Sequence, residues 1–157
     1  MNAKLTWALR LVPAVLIGQT LPFKFSGAPV SVVLFTDLAT KALGNLGLEG
    51  ALRVGTGVVE LLAVVLLLIP KQSWKGALLV VATMAGALAS HLLIIGFSGH
   101  GPLPALALIA LLFSGIYVLK SKAEILEFLG SLKKGSNSLE KKSGTTPIDD
   151  AVVEGEA

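Results

Sequence analysis

Apolar residues fall along this chain in long runs, not in the alternation of a strand or the single stripe of a surface helix. Four of them, Leu5 to Leu21, Ala51 to Ile69, Gly76 to Phe97 and Leu103 to Leu119, are each long enough to cross about 30 Å of hydrocarbon as a helix. In lipid every backbone N–H and C=O must be satisfied inside the segment, so helices are the expected form. Boundary signals agree: Pro22 is expected to end the first run and Pro70 with Lys71 the second, while Gly99 to Pro104 breaks the chain between the third and fourth. The connection at 70–75 is short enough to force an antiparallel hairpin. The expected fold class is all-α, an integral membrane four-helix bundle over residues 1–119.

Two further segments carry a helical pattern. The first loop, Phe23 to Leu48, has Val30, Leu34 and Leu38 at helical spacing with Asp37 and Lys41 on other positions. That pattern predicts a short helix lying at the outer interface or re-entering the bundle. After Leu119 the composition changes. Ser121 with Glu124 makes a capping box ahead of Ile125, Leu126, Phe128, Leu129 and Leu132, which predicts a short amphipathic cytoplasmic helix over 120–134. Residues 135–157 are Gly, Ser, Lys and acidic residues with little apolar content, and are expected to be disordered. The N-terminus imitates a secretory signal, but Arg10 interrupts its apolar run and no small-x-small site precedes Pro22, so it reads as a retained span.

Composition narrows the function classes. With 54% hydrophobic and 15% charged residues over 157 positions and a mean hydropathy of +0.80, four spans and a modest tail leave no room for a large soluble catalytic domain. The absence of cysteine excludes disulfides, thiolate metal sites and dithiol relays, so a redox role requires a borrowed cofactor. The net charge of +3 is spread over membrane flanks without interleaved aromatics, and nucleic acid is not an expected partner. Lys4, Lys71, Lys75, Lys120 and Lys122 fall on one side of the predicted topology. Lys24, Lys41 and Arg53 fall on the other, with His100 in the third loop. The bias puts both termini in the cytoplasm. Trp7, Trp74 and Tyr117 fall at helix ends on that side, where amphipathic rings are expected at headgroup level.

Ionisable groups inside spans carry the candidate chemistry, because each needs a partner, a water-filled cavity or a task. Glu60 lies near the middle of the second span, too deep for its short side chain to reach water. Arg53, Gly57 and Glu60 share one helix face, and Thr83, Ala87, Ser90 and His91 form a second polar stripe on the third span. At about 1.5 Å per residue, Gln19, Arg53 and His91 come to similar heights, with Lys24 above and Glu60 deeper. Those five residues are the candidate ligand pocket. For Glu60 two readings stand: an ion pair with Arg53 or Lys24 that locks packing, or a working acid. His91 is either a hydrogen-bonded packing residue or a pocket ligand, and Arg10 is expected to snorkel to headgroups or anionic lipid. No metal site is expected, since His100 is remote in a loop from His91 and Glu60. Nor is a nucleophile–base pair, because Ser90 and His91 point in different directions on a helix.

Taken together, Leu9-Arg10-Leu11, the Gly18 to Lys24-Phe25 stretch, the Arg53 to Leu61 segment containing Gly57-Val58-Val59-Glu60, and the Met84 to His91 run resemble the DoxX family of small four-helix membrane proteins. The likeness runs from about Ala8 to Leu119, with the spacing from Gly18 to Lys24 longer than the family's usual Gly-x-x-Lys. The resemblance implies a four-helix bundle in the bacterial inner membrane. It also implies an accessory or quinone-contacting subunit of a membrane redox complex, with Glu60 and His91 as pocket residues and a quinone as the possible cofactor. Two rival readings use the same residues differently: a proton-linked transporter, which would need self-association to build alternating access, and a non-catalytic scaffold or assembly factor.

Overall fold

The structure, a computed structural model, describes residues 3–96, 101–123, 125–127 and 129–131. Contacts divide the chain into two units, residues 1–122 and 123–157, and the bundle is the first. It is built of α1 (Ala3–Gly18), α2 (Leu21–Ser26), α3 (Pro29–Leu43), a 3-10 turn (Leu46–Leu48), α4 (Glu49–Leu68), α5 (Ser73–Ser90) and α6 (Leu103–Lys120). A π turn, His91–Ile95, prolongs α5. Four helical stretches, Ala3–Ser26, Leu46–Leu68, Ser73–Ile95 and Leu103–Lys120, are long and apolar enough to cross a bilayer. The chain is a multi-pass membrane protein of the all-α class. Large apolar side chains point outward all round it, among them Val15, Val58, Leu62, Leu93 and Leu112, as a bilayer solvent requires.

Small side chains line the closest helix contacts of the interior. Ala63, Ala77, Ala110 and Ser114 are at most 1% exposed, consistent with close packing as the main source of helix association in lipid. Gly76 marks the tightest crossing: a Cβ there would lie 2.5 Å from the Leu67 amide nitrogen and 2.8 Å from the Ala63 carbonyl oxygen. Because both obstacles are α4 backbone, no side-chain rotation relieves them. Gly76→Ala is expected to destabilise the bundle by about 1–3 kcal/mol, read as a lower unfolding midpoint in detergent. Gly115→Ala, whose Cβ enters open space, should leave that midpoint within about 0.5 kcal/mol.

Pro22 does not end the first span. α1 stops at Gly18 and the chain re-enters helix at Leu21, with Pro22 in the first turn of α2, where its missing N–H has no intrahelical role. The span therefore runs on to Ser26, and Lys24 lies within it. The first loop contains α3, whose buried face is Ser31, Phe35 and Ala39, one residue out of register with the Val30, Leu34 and Leu38 stripe; Val30 is 51% exposed. α3 packs on α2, α4 and the π turn through that face.

Arg10 does not snorkel. It is 4% exposed, and its guanidinium donates from Nε to the Leu67 carbonyl at 2.7 Å and from Nη2 to the Leu68 carbonyl at 2.9 Å. These belong to the last turn of α4, whose carbonyls have no helical partner and whose dipole end attracts a cation. Trp7 stacks on the same guanidinium at 4.6 Å. Trp7, Trp74 and Tyr117 lie near the ends of α1, α5 and α6. Trp74 and Tyr117 are buried, and the Tyr117 hydroxyl meets Ser73 Oγ at 2.6 Å while Ser73 Oγ bonds the Pro70 carbonyl at 2.9 Å. Since Ser73 spends its one proton on Pro70, Tyr117 is the donor. The pair ties α6 to the hairpin turn.

In the second unit the described residues between 122 and 131 are helical, within the stretch expected to form an amphipathic helix. Glu124 of the expected capping box, Phe128, Leu132 and the 135–157 tail lie outside the described residues, as does His100.

Candidate functional site

α2 owes its position to two glycines. Gly57 on α4 leaves room for it, since a Cβ there would sit 3.2 Å from the Phe25 ring and 3.6 Å from Lys24 Cβ. Gly27 ends it in the left-handed conformation, φ 69°, which glycine adopts at little cost and which turns the chain toward α3. Arg53 holds the same corner. Its Nε donates to Glu49 Oε1 at 2.6 Å, one turn earlier on α4, and its Nη1 donates to the Lys24 carbonyl.

With α2 so held, the Lys24 ammonium forms an ion pair with Glu60 Oε2. The Lys24 side chain is 13% exposed and that of Glu60 4%. A charge at this depth is costly alone, and each is what makes the other tolerable. The partner of Glu60 is therefore Lys24. Arg53, expected on the Glu60 face, serves Glu49 and the α2 backbone instead. Glu49 went unnoticed in the sequence because it precedes the apolar run, although its position four residues before Arg53 is the spacing of a helical ion pair.

His91 opens the π turn. It is 4% exposed, and its Nδ1 lies 2.8 Å from the Ala87 carbonyl oxygen. Only a ring N–H can bond that acceptor, so in the neutral ring Nδ1 carries the proton and Nε2 is the basic nitrogen. The π geometry is closed by the Gly96 amide donating to the His91 carbonyl at 2.9 Å.

These groups border two cavities. The larger, about 550 Å³, lies among α1, α2, α3, α5 and α6 and reaches Glu60 on α4. Its far walls are apolar, with Leu16, Ile17, Met84, Leu103, Leu106 and Ala107, and its polar lining is Gln19, Thr20, Lys24, Ser31, Glu60 and His91. The smaller, about 380 Å³, lies between α3, α4 and α5, and Gly55, Thr56, Thr83, Gly86 and Ser90 line it. Lys24, Leu34, Glu60, Ala87 and His91 border both. Four of the five expected pocket residues, Glu60, His91, Lys24 and Gln19, thus meet at the larger cavity, and Arg53 lines neither.

Ser31 is the site residue that sequence reasoning missed. It is 5% exposed, lines the larger cavity, and its Oγ has no hydrogen-bond partner among the described residues. A buried hydroxyl in that state keeps hydrogen-bonding capacity for a group in the cavity. The Ser31–Ala39 spacing of small residues was the available clue, masked by the stronger apolar stripe beside it. Among the described residues no three metal-ligating side chains converge. The site offers a charged pair, an imidazole and a hydroxyl in the wall of a mostly apolar chamber. No family model, curated protein or solved structure matches the chain.

Proposed function

We propose that this chain is a DoxX-like inner-membrane protein, acting as a quinone-contacting or accessory subunit of a membrane redox system. The observation that carries the reading is the larger cavity. Its Lys24–Glu60 pair, His91 and Ser31 line, with mostly apolar neighbours, a space of about 550 Å³, a volume suited to a ring and part of a tail. Lys24 and Ser31 are donors suited to carbonyl oxygens, and Glu60 and His91 are groups that can hold or pass a proton beside them. A quinone supplies the electron chemistry; the protein binds the head, keeps bulk water away from it and exchanges protons with it. The termini are cytoplasmic in this reading. Lys4, Lys71, Lys75, Lys120 and Lys122 mark that side, while Lys24 and Arg53 on the other are engaged by Glu60 and Glu49.

The test is mass spectrometry of lipids and quinones that co-purify with the detergent-extracted protein. The comparison is a Lys24→Met/Glu60→Gln variant that elutes as the same monodisperse species. Enrichment of a quinone in the wild type and its loss in the variant supports the reading. Equal retention in both, or none in either, removes it and leaves the scaffold role ahead.

The two cavities meeting at one ion pair favour a second reading, a proton-linked transporter. Proton flux into proteoliposomes that vanishes in the Lys24→Met/Glu60→Gln variant would identify it.

A further inference from the structure

The two cavities that share the Lys24–Glu60–His91 cluster differ in their remaining walls. Away from the cluster the larger is lined mainly by leucine, isoleucine, methionine and alanine, with Gln19, Thr20 and Ser31, whereas the smaller carries the hydroxyls of Thr56, Thr83 and Ser90 beside Gly55 and Gly86, among apolar residues such as Phe35, Leu38 and Ile95. Thr83 Oγ1 and Ser90 Oγ spend their protons on the Leu79 and Gly86 carbonyls of their own helix, at 2.9 and 2.8 Å, which leaves oxygen lone pairs as acceptors. A water needs two to four polar partners and about 10–15 Å³ of space. The smaller cavity supplies three hydroxyls, an ammonium, a carboxylate and an imidazole around about 380 Å³. A buried ion pair in a bilayer also needs its remaining hydrogen-bonding capacity met, and water is the agent that fits there.

We propose that the smaller cavity is a water-filled access route through which the Lys24–Glu60–His91 cluster exchanges protons with the aqueous phase, leaving the larger cavity to its apolar occupant. Water on the hydroxyl-lined side delivers or accepts a proton at the Glu60 carboxylate or the His91 ring, with no other bond made or broken. The route stands whether or not the larger cavity binds a quinone, because its occupant is water.

The chain has no cysteine, so single cysteines report hydration without background. Thr83→Cys, Gly86→Cys and Ser90→Cys, in the intact protein in proteoliposomes, would be treated with 2-aminoethyl methanethiosulfonate; the thiolate attacks its sulfenyl sulfur and displaces methanesulfinate, and a thiol ionises only where water reaches it. Leu93→Cys, at a position 82% exposed on the outer face, is the lipid-facing reference. Cavity positions are expected to react roughly tenfold or more faster than the reference. Equal rates overturn the proposal. A second measurement follows exchange of the His91 ring N–H for deuterium by NMR of histidine-labelled protein in a His100→Gln background. Gly86→Leu, with Gly55→Leu as the alternative should the first fail to fold, fills the cavity from a Cα whose Cβ position has nothing within 4 Å. Exchange slowed roughly tenfold supports the route; exchange at the wild-type rate overturns it even if the cysteines react. Neither measurement depends on quinone retention, so the two proposals fail separately.

Discussion

Replacing Arg10 with methionine is expected to cost about 3 kcal/mol of stability, one of the two largest effects anticipated for any substitution in the bundle. Two hydrogen bonds from a charged donor end on the Leu67 and Leu68 carbonyls, each worth about 1.5–3 kcal/mol, and their loss leaves two acceptors at the α4 terminus with nothing to bond. Methionine keeps most of the packing volume, which isolates the polar term. Arg10→Lys should recover less than half of the loss, because an ammonium on a shorter stem lacks the fork that reaches both carbonyls. The check is the unfolding midpoint of detergent-purified variants followed by tryptophan fluorescence. A methionine variant within about 0.5 kcal/mol of wild type, the range of ordinary surface changes, would return Arg10 to the headgroup region.

For Lys24 and Glu60 the expected signature is non-additivity. Lys24→Met or Glu60→Gln alone leaves one charge buried without its partner and should cost about 3–5 kcal/mol. The double variant removes both charges and should recover most of that loss, the remainder being the smaller cost of a buried amide without its partners. Four proteins in one unfolding series measure the coupling directly. Additive losses would mean that the two side chains do not act as a pair. The double variant is also what makes the ligand test decisive, because it alters the cavity's chemistry while preserving the bundle.

The fold was legible in the sequence because lipid is a uniform solvent. A span is recognised by length and composition alone, with no need to know its neighbours, and all four runs appear as helices within a few residues of their expected bounds. The depth of Glu60 was legible for the same reason. Which charge answers it was not. Counting along straight helices placed Lys24 above Glu60 and left Arg53 as an equal candidate; the break after Gly18 and the re-entry as α2 bring Lys24 down to it. Arg10 shows the same division. Its place near a span end was correctly read, but a flanking cation can turn to headgroups or to another helix's terminus, and only the packing of α1 against α4 selects the latter.

By itself, then, the sequence determined what each residue's immediate solvent must be: which stretches sit in hydrocarbon, which polar groups cannot remain there alone, and where helices must form to satisfy their own backbone. The tertiary structure decided how those demands are met. Glu60 meets Lys24, Arg53 meets Glu49, Arg10 meets the end of α4, and Ser31 turns to a cavity instead of a neighbour. The physical reason is range. Transfer from water to lipid is a property of a segment and its length, while an ion pair or hydrogen bond is made within about 3 Å, and approach that close is set by helix breaks, glycine contacts and crossing geometry.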